Sequence, residues 1–171
     1  MSSPVLFKVI TTGEGGVGKT TLLYRYIKGR FLADTKMTIG VEFFMKTLQI
    51  DEREVNLQVW DFGGQEHFRP LLHNYSKGAR GALLLFDLTR PSSLEKVDQW
   101  VKICREENPD IPIIFLGTKS DLTESITVDD DFALKFPKKY DFFKYLKVSS
   151  KTGENVNVAF ELLAREIIKN L

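Results

Sequence analysis

Short apolar runs alternate along the chain with stretches whose apolar positions recur at three- and four-residue spacing. Residues 5–10 read as a strand and residues 20–27 as the helix after it. Val55, Leu57 and Val59 alternate with Asn56, Gln58 and Trp60, as on a half-buried strand, and residues 41–50 followed by 54–61 predict a hairpin. Residues 81–86 and 111–116 are continuous apolar runs bounded by turn residues, which suits strands covered on both faces. Between them Leu94, Val97, Trp100, Val101 and Cys104 fall at helical spacing, with Ser92 and Glu95 as a capping-box pattern in front. Residues 142–148 predict a last strand, and Val156, Phe160, Leu163, Ala164 and Ile167 a final amphipathic helix. Strands alternating with helices predict an α/β fold: one domain over residues 1–171, with a mostly parallel six-stranded sheet, one antiparallel edge strand and helices on both faces. Ligands of such sheets sit at the carboxyl ends of the strands, so the loops there are where chemistry is expected.

Composition narrows the partners. The chain has 171 residues, 24 Lys and Arg against 23 Asp and Glu, and a net charge of +1. That balance offers no electrostatic footprint for a phosphodiester backbone, so nucleic acid is not an expected partner. With 43% hydrophobic and 27% charged residues, the disordered and low-complexity classes are excluded. No apolar stretch approaches the roughly 18 residues of a membrane span. The first residues lack a basic segment before an apolar run, so no secretory signal is expected. The single cysteine, Cys104, cannot form an internal disulfide, and it lies on an apolar helical stripe, where a core position is expected. No cysteine stands near Leu171, so no prenyl anchor is expected in this chain. A cytoplasmic monomer is the expectation, with peripheral membrane attachment if a lipidated tail lies beyond the sequence. His67 and His73, without acidic or cysteine partners at ligand spacing, read as surface residues rather than metal ligands. Asp129, Asp130 and Asp131 read as acid at a helix N-terminus. Lys135, Lys138, Lys139 and Lys144 read as a solvated basic face.

The first predicted strand runs into Gly13-Glu14-Gly15-Gly16-Val17-Gly18-Lys19-Thr20, a G-x-x-x-x-G-K-[ST] motif with a strand before it and a helix after it. Glycines let the backbone curl so that successive N–H groups meet phosphate oxygens, and the helix start adds its positive dipole end. Lys19 is expected to reach the β and γ phosphates, and the Thr20 hydroxyl to ligate Mg²⁺. A chance match in a chain of this length is on the order of one in a hundred, and the strand–loop–helix context lowers it further. The expected class is therefore a phosphate-loop NTPase domain.

Two further strand-end loops carry candidate chemistry. In Asp61-Phe62-Gly63-Gly64-Gln65-Glu66, Asp61 can hold Mg²⁺ through water, the Gly64 N–H can approach a γ-phosphate, and Gln65 can orient an attacking water. Alone, the same segment reads as a turn with a capping Asp. In Gly117-Thr118-Lys119-Ser120-Asp121, the Asp121 carboxylate can accept from the N1–H and N2–H₂ of guanine, a donor pair adenine lacks, while the Lys119 stem lies along the base. Backbone N–H groups of Ser149-Ser150-Lys151 can meet the guanine O6, although alone that segment reads as a polar turn.

These motifs, in this order and over nearly the whole chain, resemble the Ras superfamily of small GTPases. Ile39-Gly40-Val41-Glu42-Phe43, Trp60-Asp61, Tyr75-Ser76-Lys77-Gly78-Ala79 and Leu85-Phe86-Asp87-Leu88-Thr89 are most similar to the Rab branch. The resemblance implies bound GTP or GDP with Mg²⁺, and Thr38 as a Mg²⁺ ligand that senses the γ-phosphate. It also implies Phe31 against the guanine, and Thr21 and Leu122 as further nucleotide contacts beside Gly13–Lys19 and Thr118. By resemblance, Phe43, Trp60 and Tyr75 face effectors, and protein effectors, an exchange factor and a GTPase-activating protein are expected partners. The chain departs from the Rab pattern in places. Phe62-Gly63 stands where Thr-Ala is usual, and the Gly63-Gly64-Gln65 run is like that of Arf-type and septation-type GTPases. Thr118 stands where Asn is usual, as in Rho proteins, which would alter a contact to the phosphate loop. Ser76 replaces an aromatic residue, and Thr35 stands where many relatives carry a tyrosine.

The expected function is a switch that hydrolyses GTP slowly, with Gln65 positioning water and Lys19 stabilising phosphate charge. The sequence shows no arginine finger in cis. Two alternatives remain at this point: a guanine-nucleotide binding module with negligible turnover, and a phosphate-loop kinase acting on a small metabolite.

Overall fold

Period-two burial on both faces of the central strands sets the architecture. The computed structural model describes residues 3–32, 41–62 and 69–171. In chain order the elements are β1 (Val5–Gly13), α1 (Lys19–Lys28), β2 (Val41–Ile50), β3 (Arg53–Phe62), α2 (Arg69–Tyr75) and β4 (Ala79–Asp87). After them come α3 (Val97–Arg105), β5 (Ile113–Thr118), α4 (Asp130–Ala133), α5 (Lys135–Tyr140), β6 (Lys144–Lys147) and α6 (Val156–Lys169). The strands form one sheet in the order β2-β3-β1-β4-β5-β6. Only the β2–β3 pairing among them is antiparallel. The expected mixed sheet with an antiparallel edge is what the chain forms. A two-residue turn closes the hairpin, with Asp51 in the left-handed region at φ 54°.

Val9, Leu57, Leu83, Leu85, Ile114 and Leu116 point to one face, where Leu22, Leu23 and Tyr26 of α1 and Phe160 and Leu163 of α6 cover them. Ile10, Ala82, Leu84, Phe86, Ile113 and Phe115 point to the other, under Val97, Trp100 and Cys104 of α3. Both faces are dry, which is why β4 and β5 read as unbroken apolar runs rather than alternating ones. Cys104 is buried as expected, and burial pushes its thiol up to about 12.

Two local expectations need correction. The Ser92–Glu95 capping box does not form: Pro91–Leu94 is a tight 3-10 turn, and α3 starts at Val97 with no side-chain cap. Pro91 supplies the φ that such a turn needs, and the Ser93 hydroxyl donates to Arg90 O at 2.7 Å. The last strand is shorter than residues 142–148, because Phe142 leaves the ladder to pack against Phe115 with ring centroids 5.1 Å apart. His73 has a partly exposed side chain, as expected of a surface residue, and the chain just past α3 brings Glu106 to 3.0 Å from Nδ1 and Glu107 to 3.3 Å from Nε2. The expected acid at a helix start is present: Asp129 caps α4 by accepting from the Phe132 N–H at 2.8 Å.

β1 lies between β3 and β4, so the chain runs to one side of it through α1 and crosses back to its other side through α2. The crevice at its carboxyl end is the topological switch point, and the glycine-rich loop begins there.

Candidate functional site

The loop from Gly13 to Gly18 is held by four side chains that come from three parts of the chain. Gly13 takes φ 138°, and a Cβ built on it would lie 2.4 Å from the Leu85 carbonyl oxygen of β4, so only glycine lets the loop leave the sheet here. Lys19 Nζ donates to Gly13 O at 2.6 Å and Glu14 O at 2.9 Å, across the loop's mouth. Arg90 Nη2 donates to Gly15 O at 2.7 Å, Lys119 Nζ to Gly16 O at 3.3 Å, and Thr118 Oγ1 to Val17 O at 2.6 Å. The C=O and N–H of a trans peptide point in opposite directions. Holding the carbonyls of Gly15, Gly16 and Val17 from outside therefore turns the N–H groups of Gly16, Val17 and Gly18 the other way. Those three residues line a cleft of about 430 Å³. The Thr118 finding corrects one expectation: the contact to the phosphate loop is kept, because a hydroxyl can serve Val17 O as an amide would.

Thr20, in the first turn of α1, donates its hydroxyl to Asp61 Oδ2 at 2.6 Å, and Asp61 is fully buried at the end of β3. A hydroxyl oxygen and a carboxylate brought together beside a phosphate loop are hard donors of the kind Mg²⁺ takes, so these residues fit that ion. The other residues proposed for this end, Thr38, Gly64 and Gln65, lie outside the described residues, as do Thr35, Gly63 and His67.

At the far end of the cleft stand Phe31, Asp121, Leu122, Ser150 and Lys151, with Thr118 and Lys119 between them and the loop and Thr21 on the α1 side. Phe31 and Leu122 are 39% and 43% exposed and form its apolar rim. Asp121 Oδ1 accepts from the Ser149 hydroxyl at 2.8 Å, and that oxygen in turn accepts from the Thr152 N–H at 3.1 Å. Ser149 is fully buried, so it orients Asp121 from behind rather than lining the cleft.

Lys119 sits in the left-handed region at φ 66°, and Nζ lies 2.8 Å from Asp87 Oδ2. The pair fixes the stem that forms the cleft's floor. Burial alone would push the Asp87 carboxyl up, but hydrogen bonds from Lys119 and Thr89 and the Lys119 charge outweigh it and hold the carboxyl below its ordinary 3.8. A depressed carboxyl contributes stability that is present above the unfolded value and lost as pH falls through the folded one. The stability gap between wild type and Asp87→Asn, measured by denaturant unfolding, is therefore expected to be full above pH 3.8 and to shrink below it. A gap that stays constant into acid would remove the pairing argument.

Sequence reading missed Arg90 and the tie between Trp100 Nε1 and Glu14 Oε1 at 3.2 Å. Arg90 reaches the loop from the β4–α3 corner, where it binds a backbone carbonyl. Separately, Phe43, Trp60 and Tyr75 form one surface cluster, with centroids 5.5 Å apart for Phe43–Trp60 and 5.9 Å for Trp60–Tyr75. Lys8 Nζ stands 4.3 Å above the Trp60 ring.

The comparisons with known proteins agree with this arrangement. A family model described as Ras family matches residues 8–169. Ras-related protein RABA1c of Arabidopsis thaliana is 39% identical over 163 residues, covering 95% of this chain and 75% of the relative. Ras-related protein RIC2 of Oryza sativa subsp. japonica is 38% identical over 165 residues, covering 96% of this chain and 76% of the relative. Ras-related protein Rab-26 of Mus musculus is 39% identical over 165 residues, covering 95% of this chain and 63% of the relative.

Proposed function

The chain belongs to the Ras family as a Rab-like small GTPase, and from that premise we propose that it is a magnesium-dependent switch in membrane traffic that binds GTP and GDP in this cleft and hydrolyses GTP slowly. One observation supports the reading above the others: a single cleft joins the phosphate loop at one end to the Ser149-oriented Asp121 at the other. Its volume of about 430 Å³ falls in the range of small-molecule sites.

In this reading the amides of Gly16, Val17 and Gly18 bind phosphate oxygens. Lys19 spans the β and γ phosphates, and Asp121 takes the guanine edge. The Thr20 hydroxyl, with Asp61 behind it and Thr38 as a further ligand, would hold Mg²⁺, which would supply positive charge beside the phosphates. Gln65 orients the water that attacks the γ-phosphate in line, since its amide both donates and accepts. Arg90 is engaged with a loop carbonyl, so a partner's arginine is what fast turnover would need. Effectors dock on the Phe43, Trp60 and Tyr75 cluster. An exchange factor and a GTPase-activating protein set the nucleotide state.

Two measurements test this. Competition of GTP against ATP is expected to favour GTP by about 10⁴, because a carboxylate left unpaired against adenine costs as much as the lost bonds. Single-turnover hydrolysis is expected near the slow end of roughly 10⁻⁴ to 10⁻² s⁻¹. Gln65→Leu should cut that rate at least about tenfold, 1.4 kcal/mol of barrier, with affinity changed by no more than about threefold. Comparable GTP and ATP affinities would sink the base assignment, and a Gln65→Leu rate equal to wild type would remove Gln65 from the mechanism.

A further inference from the structure

Three side chains hold the outer carbonyls of the phosphate loop, and two of them, Thr118 and Lys119, come from the motif that also carries Asp121. The third does not. Arg90 stands 75 residues from Gly15 in sequence, on the turn that ends β4, and belongs to none of the nucleotide motifs. Its backbone is fixed twice over: the Arg90 N–H donates to Asp87 O at 3.0 Å, and Arg90 O accepts from the Ser93 hydroxyl at 2.7 Å and the Ser93 N–H at 3.0 Å. Ser93 is buried, so the corner that presents the guanidinium is rigid. From that corner Nη2 donates to Gly15 O at 2.7 Å, and Nη1 would lie 3.3 Å from a Cβ placed on Gly16. Gly16 is in the left-handed region at φ 78°, a conformation that needs outside support because glycine has many alternatives.

We propose that Arg90 is a positioning residue for nucleotide phosphate: by holding the Gly15 carbonyl it fixes the Gly15–Gly16 peptide with the Gly16 N–H turned into the cleft. The inference rests on the cleft being the nucleotide site. A planar guanidinium suits the task, since its donors are set in a fork and remain charged at every working pH. The helix that follows the corner, α3, is tied to the loop as well, through the Trp100 indole on the Glu14 carboxylate at 3.2 Å. The β4–α3 corner thus acts as an outer strut of the loop, and Arg90 is the part of it that reaches the backbone where phosphate is to bind.

The test uses the whole chain loaded with a fluorescent GDP in Mg²⁺ and chased with excess GDP. Arg90→Ala is expected to release GDP at least about tenfold faster than wild type, the range for losing a hydrogen bond from a charged donor. Arg90→Lys keeps a charged donor on a stem that can reach one carbonyl, and should restore the rate to within about threefold of wild type. The preference for GTP over ATP should be unchanged in both, because the base is read at Asp121. Release from Arg90→Ala at the wild-type rate would overturn the proposal. So would a loss that Arg90→Lys fails to recover, which is the signature of a packing defect, and Arg90→Met, which keeps the stem and loses the donor, takes the place of Arg90→Ala if that variant does not fold. A wild type that takes up no guanine nucleotide would sink the switch reading itself, whereas normal uptake with no Arg90 effect would sink this inference alone.

Discussion

Asp121→Asn is expected to lose guanine nucleotide affinity by roughly a hundredfold to ten-thousandfold and to gain binding of xanthine nucleotides. Guanine offers N1–H and N2–H₂ to one carboxylate, and hydrogen bonds to a charged group contribute about 1.5–3 kcal/mol each. Xanthine replaces the exocyclic donor by a carbonyl, so an amide that both accepts and donates matches it where a carboxylate cannot. The geometry sharpens the expectation, because Asp121 is not a free loop residue. Ser149 Oγ holds Oδ1 at 2.8 Å, and that hydroxyl is itself fixed by the Thr152 N–H. An asparagine at 121 can keep its carbonyl oxygen on Ser149 and present its amide nitrogen to the base, so the exchange is expected without local collapse. Ser149→Ala leaves the carboxylate in place but frees its orientation, and a smaller loss of about tenfold is expected with no gain for xanthine. Competition binding of GTP, XTP and ATP to the three proteins reads all of this. An Asp121→Asn protein that still prefers GTP would mean that the base is read elsewhere.

What could be read from the chain in advance was what lies close together in sequence. Leu83, Leu84, Leu85 and Phe86 announce a strand covered on both faces because each face takes alternate residues of one short run. Gly13–Thr20 announces a phosphate loop because a single loop supplies its own amides and its own lysine. Thr118–Asp121 is legible for the same reason. The parts that could not be read are made by the fold. The Arg90 guanidinium reaches Gly15 across 75 residues, and the Trp100 indole reaches Glu14 across 86. Nothing in the spacing of either pair marks it, since both depend on how α3 packs over β1 and β4. His73 gained two glutamate partners in the same way, from the segment just past α3, which has no sequence relation to it. The capping box failed for a local reason: Ser92 and Glu95 are correctly spaced, but Pro91 favours a tight turn there, and Ser93 rather than Ser92 carries the side-chain bond. The Thr118 contact shows the converse. A position that departs from the family pattern still ties to the loop, because what Val17 O needs is a donor, not a particular side chain.

Lys19→Ala is expected to remove most of the affinity that phosphates confer while leaving base choice intact. Lys19 is nearly buried at 6% exposure, and Nζ spans Gly13 O and Glu14 O at 2.6 and 2.9 Å, where the loop closes on itself. The ammonium has three donors. Two bonds to anionic phosphate oxygens contribute about 3–6 kcal/mol together, which is roughly a hundredfold to ten-thousandfold in affinity. Alanine removes these bonds and the loop closure at once, and no other side chain crosses the loop's mouth among the described contacts. The Gly16–Gly18 amides and the α1 dipole remain, so some phosphate binding survives. The discriminating quantity is the preference for GDP over GMP. In wild type the β-phosphate should add strongly to affinity, and in Lys19→Ala that gain should fall by the share of one such bond, roughly tenfold to a hundredfold, since GDP carries no γ-phosphate. The preference for guanine over adenine should stay within about threefold of wild type, because Asp121 and Ser149 stand at the other end of the cleft and well-separated sites act additively. Isothermal titration of GMP, GDP and ADP against both proteins separates the two ends. Equal loss for GMP and GDP would mean that Lys19 supports the fold of the loop rather than the phosphate, and an unchanged GDP-over-GMP preference would remove it from the binding mechanism.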